Sequence, residues 1–453
     1  MCSVFCSEEL RGAPLFFATV RCYYSGMKKA AAVAVLCLLS LLALPAMSMR
    51  ISEETHPFDS IPMLETYYDE SDDGNSSFWA GCEVSLLTIS DGGPLYSWFG
   101  HAAILVTTPE GRSLTFDYGT FSFNDEDFFV NFAFGRLWFV CVCSNAERQI
   151  EEAEAEGRTV TKVVLPLSTE QKKAVIGFLN TNSRYENRVY LYHHYNDNCA
   201  TRLRDIIDRT TDGAFKAWAQ GISGYTFRQQ ASRALSRNPL VLWGLDFLQS
   251  GQIDRSATLW DEMFLPEMLE KGVMTFFGLE NEVITTDSGN RSKTAQKPQN
   301  NVLFAALLGI GLGGISALLM ILGCRRANYI YSGILEIVFG ILGSVLLFMM
   351  VFTNHDVTWF NENIIFVNPG LIAVAVFSFL ASSRKKTAEE WGRLSCACQF
   401  LLLALIILLC LLKLAAHRVF IQANWNIIIT MALFYLPNAF RLILTRRDQS
   451  ERA

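Results

Sequence analysis

The stretch Tyr195-Asn196-Asp197-Asn198-Cys199-Ala200-Thr201-Arg202-Leu203-Arg204-Asp205 decides how the chain is read, because it places a cysteine where a helix begins. Asp197 or Asn198 is a natural N-cap. Ala200, Leu203, Ile206 and Ile207 then form an apolar face at helical spacing, with Arg202, Arg204, Asp205 and Asp208 mostly on the other side. Cys199 therefore falls in the first helical turn. Unpaired backbone N–H groups and the positive end of the helix dipole favour negative charge there, on a thiolate or on an oxyanion. Cysteine is also among the most often buried residue types, so a core cysteine is the competing reading.

A cysteine nucleophile needs a base. His101 stands in Tyr96-Ser97-Trp98-Phe99-Gly100-His101-Ala102-Ala103-Ile104-Leu105-Val106, at the mouth of a strand-like run. His193 and His194 are nearer in sequence and rank second, since a residue so close ahead of a helix start needs a tight return to reach the sulfur.

Outward from these two positions the pattern is one of short strands and helices. Strands are expected over 82–89, 100–107 and 113–118, with turns at Asp91-Gly92-Gly93-Pro94 and Pro109-Glu110-Gly111. A hairpin turn centred near Glu110 sets position 103 opposite 117. Asp117 then lies diagonally across from His101 on one face, able to orient its imidazole; a slip of one residue would send it to the other face. Further strands at 137–143 and 159–165 and helices at 145–156 and 168–180 make the class α+β. Residues 213–275 read as helical, and their large apolar side chains, Trp218, Phe227, Trp243, Phe247, Trp260 and Phe264 among them, are expected mostly as core. An acyl-chain groove or a membrane-facing surface is the alternative for that segment.

The 453-residue chain has 51% hydrophobic residues and a mean hydropathy of +0.24, with the apolar excess in its last third. Five apolar runs, near 302–324, 332–352, 364–382, 394–416 and 427–445, each approach the length that spans a bilayer. Arg325-Arg326, Arg384-Lys385-Lys386 and Arg446-Arg447 follow the first, third and fifth runs, so those ends are expected in the cytoplasm and the Cys199 region outside. Gly309-Ile310-Gly311-Leu312-Gly313-Gly314 imitates a dinucleotide loop, but it lies inside an apolar span and reads as a helix-packing face.

The organisation expected is therefore residues 1–26 as an upstream-start artefact, 27–48 as a signal peptide opening with Met27-Lys28-Lys29, and 49–80 as an acidic lead-in. An extracytoplasmic Cys/His domain at 81–280, a linker at 281–300 and five membrane helices at 301–447 follow. The net charge of −6, with no basic cluster in the exported part, argues against nucleic acid as a partner. Of the 12 cysteines only Cys82, Cys141, Cys143 and Cys199 lie in that part, too few for a disulfide scaffold, although one bridge among the first three is an open alternative. No metal and no cofactor are expected.

The order of a histidine, a polar strand residue and a cysteine at a helix start resembles the circularly permuted papain-like hydrolases and acyltransferases. Leu95-Tyr96-Ser97-Trp98-Phe99-Gly100-His101, Asp117-Tyr118-Gly119-Thr120-Phe121 and Asp197-Asn198-Cys199-Ala200-Thr201-Arg202 are similar to motifs of the bacterial lipoprotein N-acyltransferase family called Lnb, as are Phe264-Leu265-Pro266-Glu267 and the loop at 355–369. The resemblance implies a permuted papain-like α+β domain on five transmembrane helices, with Cys199 as the acyl-accepting nucleophile and His101 as its acid/base. Asp117 as third member follows from the hairpin register. The resemblance also implies a phospholipid acyl donor, the amine of a lipoprotein N-terminus as acceptor, and a multi-pass place in the bacterial inner membrane with the catalytic domain in the periplasm. Asn198, Tyr118, Ser97, His355 and Asn361 are the candidates for substrate or pocket contacts, His355 and Asn361 from a loop that otherwise reads as an interfacial anchor. Rival readings are a membrane-tethered cysteine hydrolase of peptidoglycan peptides or lipid esters, and a non-enzymatic assembly factor.

Overall fold

The computed structural model describes residues 76–122, 127–287 and 294–450. The expected upstream segment, signal peptide and most of the acidic lead-in lie outside the described residues. The strands are β1 Glu83–Ile89, β2 His101–Thr107, β3 Ser113–Thr120, β4 Trp138–Asn145, β5 Val160–Val164, β6 Val189–Leu191, β7 Ile222–Thr226, β8 Ser256–Thr258 and β9 Glu282–Thr285. Seven of them form an antiparallel sheet in the order β6-β4-β3-β2-β1-β5-β9, and β7 pairs with β8 in a separate ribbon.

Alternation along the strands gives the sheet two buried faces. Val84, Leu86, Ala102, Ile104 and Val106 pack with Ala200, Leu203 and Ile207 of the helix Cys199–Thr210. Leu87, Ile89, Ala103 and Leu105 pack with Ala146 and Ala153 of the helix Ala146–Ala155. Ile104 faces Phe116 across β2 and β3, which is the register the hairpin reading expected.

Two expectations need correction. The polar segment at 281–300 is not a free linker: β9 completes one edge of the sheet, and Ala295 and Gln299 donate their N–H groups to Arg233 O and Ser232 Oγ at 3.0 and 3.1 Å. An edge strand with exposed Glu282, Val283 and Ile284 carries no buried alternation for sequence to reveal. Likewise 213–275 is not helical throughout, since the β7–β8 ribbon interrupts it.

Five helices are long and apolar enough to cross a membrane: Val302–Ile321, Arg325–Phe352, Glu362–Ala381, Ala388–Ala415 and Trp425–Ile443. They match the five runs in order, with two helices starting earlier because their polar ends stay helical. A hydrogen-bonded chain links all five: Ser316 to Asn328, Asn328 to Asn438, Asn438 to Gln399, Gln399 to Glu336, and Glu336 to Ser378. In hydrocarbon an unsatisfied polar group is costly, so these side chains pair with one another and fix which helix meets which.

The exported domain is docked on this bundle. Trp243 Nε1 donates to Thr430 Oγ1 at 3.0 Å, Asn363 Nδ2 to Phe247 O at 2.9 Å, and Asn426 Nδ2 to Asp246 Oδ2 at 2.8 Å. Trp243 and Phe247 thus serve the membrane core rather than the sheet.

Gly313 belongs to the expected packing face: a Cβ there would lie 2.1 Å from Leu433 O in the last span, whereas one at Gly311 meets nothing within 4 Å. Gly313→Val is expected to cost about 1–3 kcal/mol or more, seen as a lowered Tm of the purified protein in detergent. Gly311→Val is expected to stay within about 0.5 kcal/mol of the parent, and equal effects of the two would refute the packing role.

Candidate active site

Local chemistry puts Cys199 at the first position of its helix. Asn198 is the N-cap with extended backbone, and its Oδ1 accepts the N–H groups of Ala200 and Thr201, both at 2.9 Å. The Asn198 N–H in turn donates to Thr201 Oγ1 at 2.7 Å, closing a capping box. Asn198 Nδ2 donates to His194 O and Phe264 O at 2.8 and 2.9 Å. Every bonding position of this amide is used within the protein, so Asn198 positions the helix start and is not available to substrate. Among the described residues no acceptor takes the Cys199 N–H, which leaves it as the open donor of the first turn.

His101 opens β2, and Asp117 lies on β3. Their side chains meet, with Nε2 2.9 Å from Asp117 Oδ2, an ion-pair contact off the line of a straight hydrogen bond. Asp117 is itself held: Oδ1 accepts the Gly119 N–H at 2.5 Å, and Oδ2 accepts Gln149 Nε2 at 3.2 Å. Burial alone pushes the His101 imidazole down, but the Asp117 carboxylate and the Cys199 sulfur beside it outweigh this and hold it well above the ordinary histidine value. Burial pushes the Asp117 carboxyl up, and His101, the Gly119 N–H and Gln149 together bring it below its usual value. The three expected catalytic side chains are therefore brought together, with Asp117 ionised and His101 disposed to carry a proton.

Sequence reasoning missed two supports. A Cβ on Gly119 would lie 2.4 Å from His101 Cε1, so the ring occupies the space that only glycine leaves. The register already implied this, since one further step of two residues from the 103–117 pair sets 119 opposite 101. Gln149 reaches Asp117 from the helix Ala146–Ala155, and nothing in the sequence pointed to that contact.

The remaining candidates fall elsewhere. Ser97 donates to Pro94 O at 2.7 Å, and its carbonyl accepts Gly92 and Gly100, so it builds the turn ahead of His101. Tyr118 is buried in the core beneath Arg202, whose guanidinium lies 3.7 Å over the Tyr190 ring. Asn361 donates to Phe247 O and Leu248 O and accepts from Gln422, which makes it a docking residue. His355 Nε2 sits 2.9 Å from Phe132 O at the same junction. His193 is excluded as a base because its Nδ1 accepts the Tyr195 and Asn196 N–H groups and its Nε2 pairs with Asp356 Oδ1 at 3.0 Å. That pair ties the loop between the second and third spans to the turn that ends in Cys199.

A cleft of about 130 Å3 opens beside Gly100, but Cys199, His101 and Asp117 do not line it. Its side chains pair among themselves, as Arg233 does with Gln230 and Glu267. Among the described residues no group of three or more His, Cys, Asp or Glu side chains is arranged to hold a metal ion. Cys82, Cys141 and Cys143 are buried free thiols, so the bridge left open by the sequence is not formed.

Comparison with known proteins gives two family matches and nothing else. No curated protein and no solved structure matches the chain. Residues 78–233 match the Lnb N-terminal periplasmic domain, and residues 298–447 match the Lnb transmembrane domain. Both halves of the described architecture are accounted for in order, and the chain belongs to the Lnb family, a multi-pass membrane protein with a periplasmic domain.

Proposed function

We propose that the protein transfers a fatty acyl chain from a phospholipid, through a thioester on Cys199, to the N-terminal amine of a diacylglyceryl-cysteine lipoprotein in the bacterial inner membrane. Membership of the Lnb family supports lipoprotein N-acyltransferase activity in general terms. The observation that carries the mechanism is the meeting of Asp117, His101 and Cys199 in a domain seated on membrane spans. The chain order of the three residues suits a circularly permuted papain-like domain.

In the first half-reaction the Cys199 thiolate attacks the ester carbonyl carbon, and the Cys199 N–H faces the oxyanion that forms. Collapse breaks the C–O bond, and His101 gives its proton to the departing lysophospholipid oxygen. In the second half-reaction the acceptor amine attacks the thioester carbonyl, His101 takes the amine proton, and the thiolate leaves as the amide forms. Asp117 holds the imidazole and favours its protonated form. A thioester suits an amine acceptor, because it is more reactive toward amines than the starting ester and the amide is stable.

With phospholipid alone, the purified protein in lipid is expected to accumulate acyl-Cys199 with little free fatty acid. Adding a diacylglyceryl-modified cysteine peptide should discharge it to an N-acyl amide, followed by mass spectrometry with ping-pong kinetics. Steady release of fatty acid with no amide would identify a hydrolase, and loss of neither reaction in Cys199→Ser would remove the nucleophile assignment.

Asp117→Asn is expected to slow transfer by up to about 10⁴-fold without abolishing it. Because Asp117 raises the proton affinity of His101, removing its charge lowers it. The alkaline limb of kcat/KM, which reports loss of the imidazolium proton, should therefore move to lower pH; an unmoved limb would separate Asp117 from His101. Gly119→Ala should displace the ring and cost roughly 10²-fold in acylation rate while the thermal transition stays close to that of the parent.

A further inference from the structure

We propose that the acyl chain of the donor reaches Cys199 along a strip of aromatic rings running from the outer end of the second span to the catalytic turn. This rests on the acyltransferase reading above and specifies where the substrate's chain lies.

The strip begins in an unusual helix. Phe128–Ala133 reads Phe-Phe-Val-Asn-Phe-Ala, yet none of its residues is buried, and Phe129 and Phe132 are 71% and 49% exposed. Exposed apolar surface of this kind marks contact with lipid, ligand or partner. Its C-terminal end is fixed to the membrane domain. Asn354 N–H donates to Phe134 O at 2.9 Å, and a Cβ on Gly135, at φ +72°, would lie 2.7 Å from His355 N. Phe134 in turn sits 5.5 Å from Phe348 of the second span, measured between ring centroids. The helix therefore packs against the end of the second span and the loop that follows it.

From there the rings continue without a gap toward the site. Phe132 is 6.1 Å from Phe128, Phe128 is 5.9 Å from Phe121, Phe121 is 4.9 Å from Phe139, and Phe139 is 4.2 Å from Tyr192. Both ends of this last group connect along the chain to the segments that hold His101 and Cys199. Phe121 follows β3 two positions after Gly119, which lies against the His101 ring, and Tyr192 leads into the turn that ends at Cys199. The cleft beside Gly100 is not lined by Cys199, His101 or Asp117, and its Arg233 and Glu267 pair with each other. An acyl chain is the occupant that this continuity favours, because one end of the strip packs on an apolar span and the other lies in the segment that leads into Cys199.

The test uses the full chain in detergent and two activated esters, p-nitrophenyl palmitate and p-nitrophenyl butyrate. In each, attack by Cys199 sulfur breaks the ester C–O bond, and the released p-nitrophenolate is read as a burst of one equivalent per enzyme. A short chain does not reach the distal rings, so Phe128→Ala and Phe132→Ala should slow the palmitate burst about tenfold or more while the butyrate burst stays within about twofold of wild type, a ratio that follows from losing apolar contact along a long chain. If both esters slow together, the rings only support the fold and the proposal is overturned. If neither slows, the chain travels elsewhere and the strip merely seats the domain on the bilayer, which also overturns it. If wild type gives no burst with either ester, the acyl-enzyme reading fails and this inference fails with it.

Discussion

The position of the thiol depends on the side-chain amide of Asn198. Its oxygen satisfies two N–H groups at the start of the Cys199–Thr210 helix, and its nitrogen holds the carbonyls of His194 and Phe264. One buried group thus joins the helix, the turn before it and a segment more than sixty residues away. A cap of this kind contributes about 1 kcal/mol to a helix, and each buried partner left unsatisfied costs about 1–3 kcal/mol more. The same arrangement has a chemical consequence. With Ala200 and Thr201 engaged, the Cys199 N–H is left as the open donor of the first turn, and in the proposed reaction it is the group that would face the oxyanion.

The turn that Asn198 terminates is braced from two directions. Arg202 forms a bidentate pair with Asp197 at 2.6 and 2.9 Å while stacking on Tyr190, and His193 accepts two turn N–H groups while pairing with Asp356 from the membrane loop. Deeper in the junction, Arg228 is buried with Asp246 and Asp254 at 3.0 and 2.8 Å, and Asp246 accepts Asn426 of the last span. Removing one partner of such a buried group leaves an uncompensated charge, typically at a cost of 3–5 kcal/mol. The exported domain and the bundle are consequently one structural unit around the site. The membrane loop is thereby tied to the turn ahead of Cys199 through Asp356 and His193.

Much of this was readable from residues alone where one local rule decided the outcome. Helical spacing and an N-cap gave the Cys199 helix, turn residues with period-two alternation gave β1 to β3, and a symmetric hairpin gave the register that brings Asp117 to His101. Where two rules overlapped, reading failed. Residues 281–300 are polar enough for a linker, yet β9 pairs with β5 and the Thr285 hydroxyl accepts the Val160 N–H and donates to Arg158 O, contacts that composition does not report. Asn198 and Asn361 carry side chains suited to substrate contact, and both are spent on distant carbonyls that only the folded chain brings near.

The sequence by itself therefore determined the helix that opens at Cys199, the hairpin that carries His101 and Asp117, and the five spans with their packing glycines. These rest on periodicity, turn chemistry and hydropathy, which act over a few residues. Only the tertiary structure decided that Gly119 must yield space to the imidazole, that Gln149 holds Asp117 and Asp356 holds His193, and that Trp243 and Phe247 belong to the membrane core. Each of those is a contact between segments far apart in the chain. Its existence is set by shape and unmet hydrogen bonds in three dimensions, and no local pattern of residues carries that information.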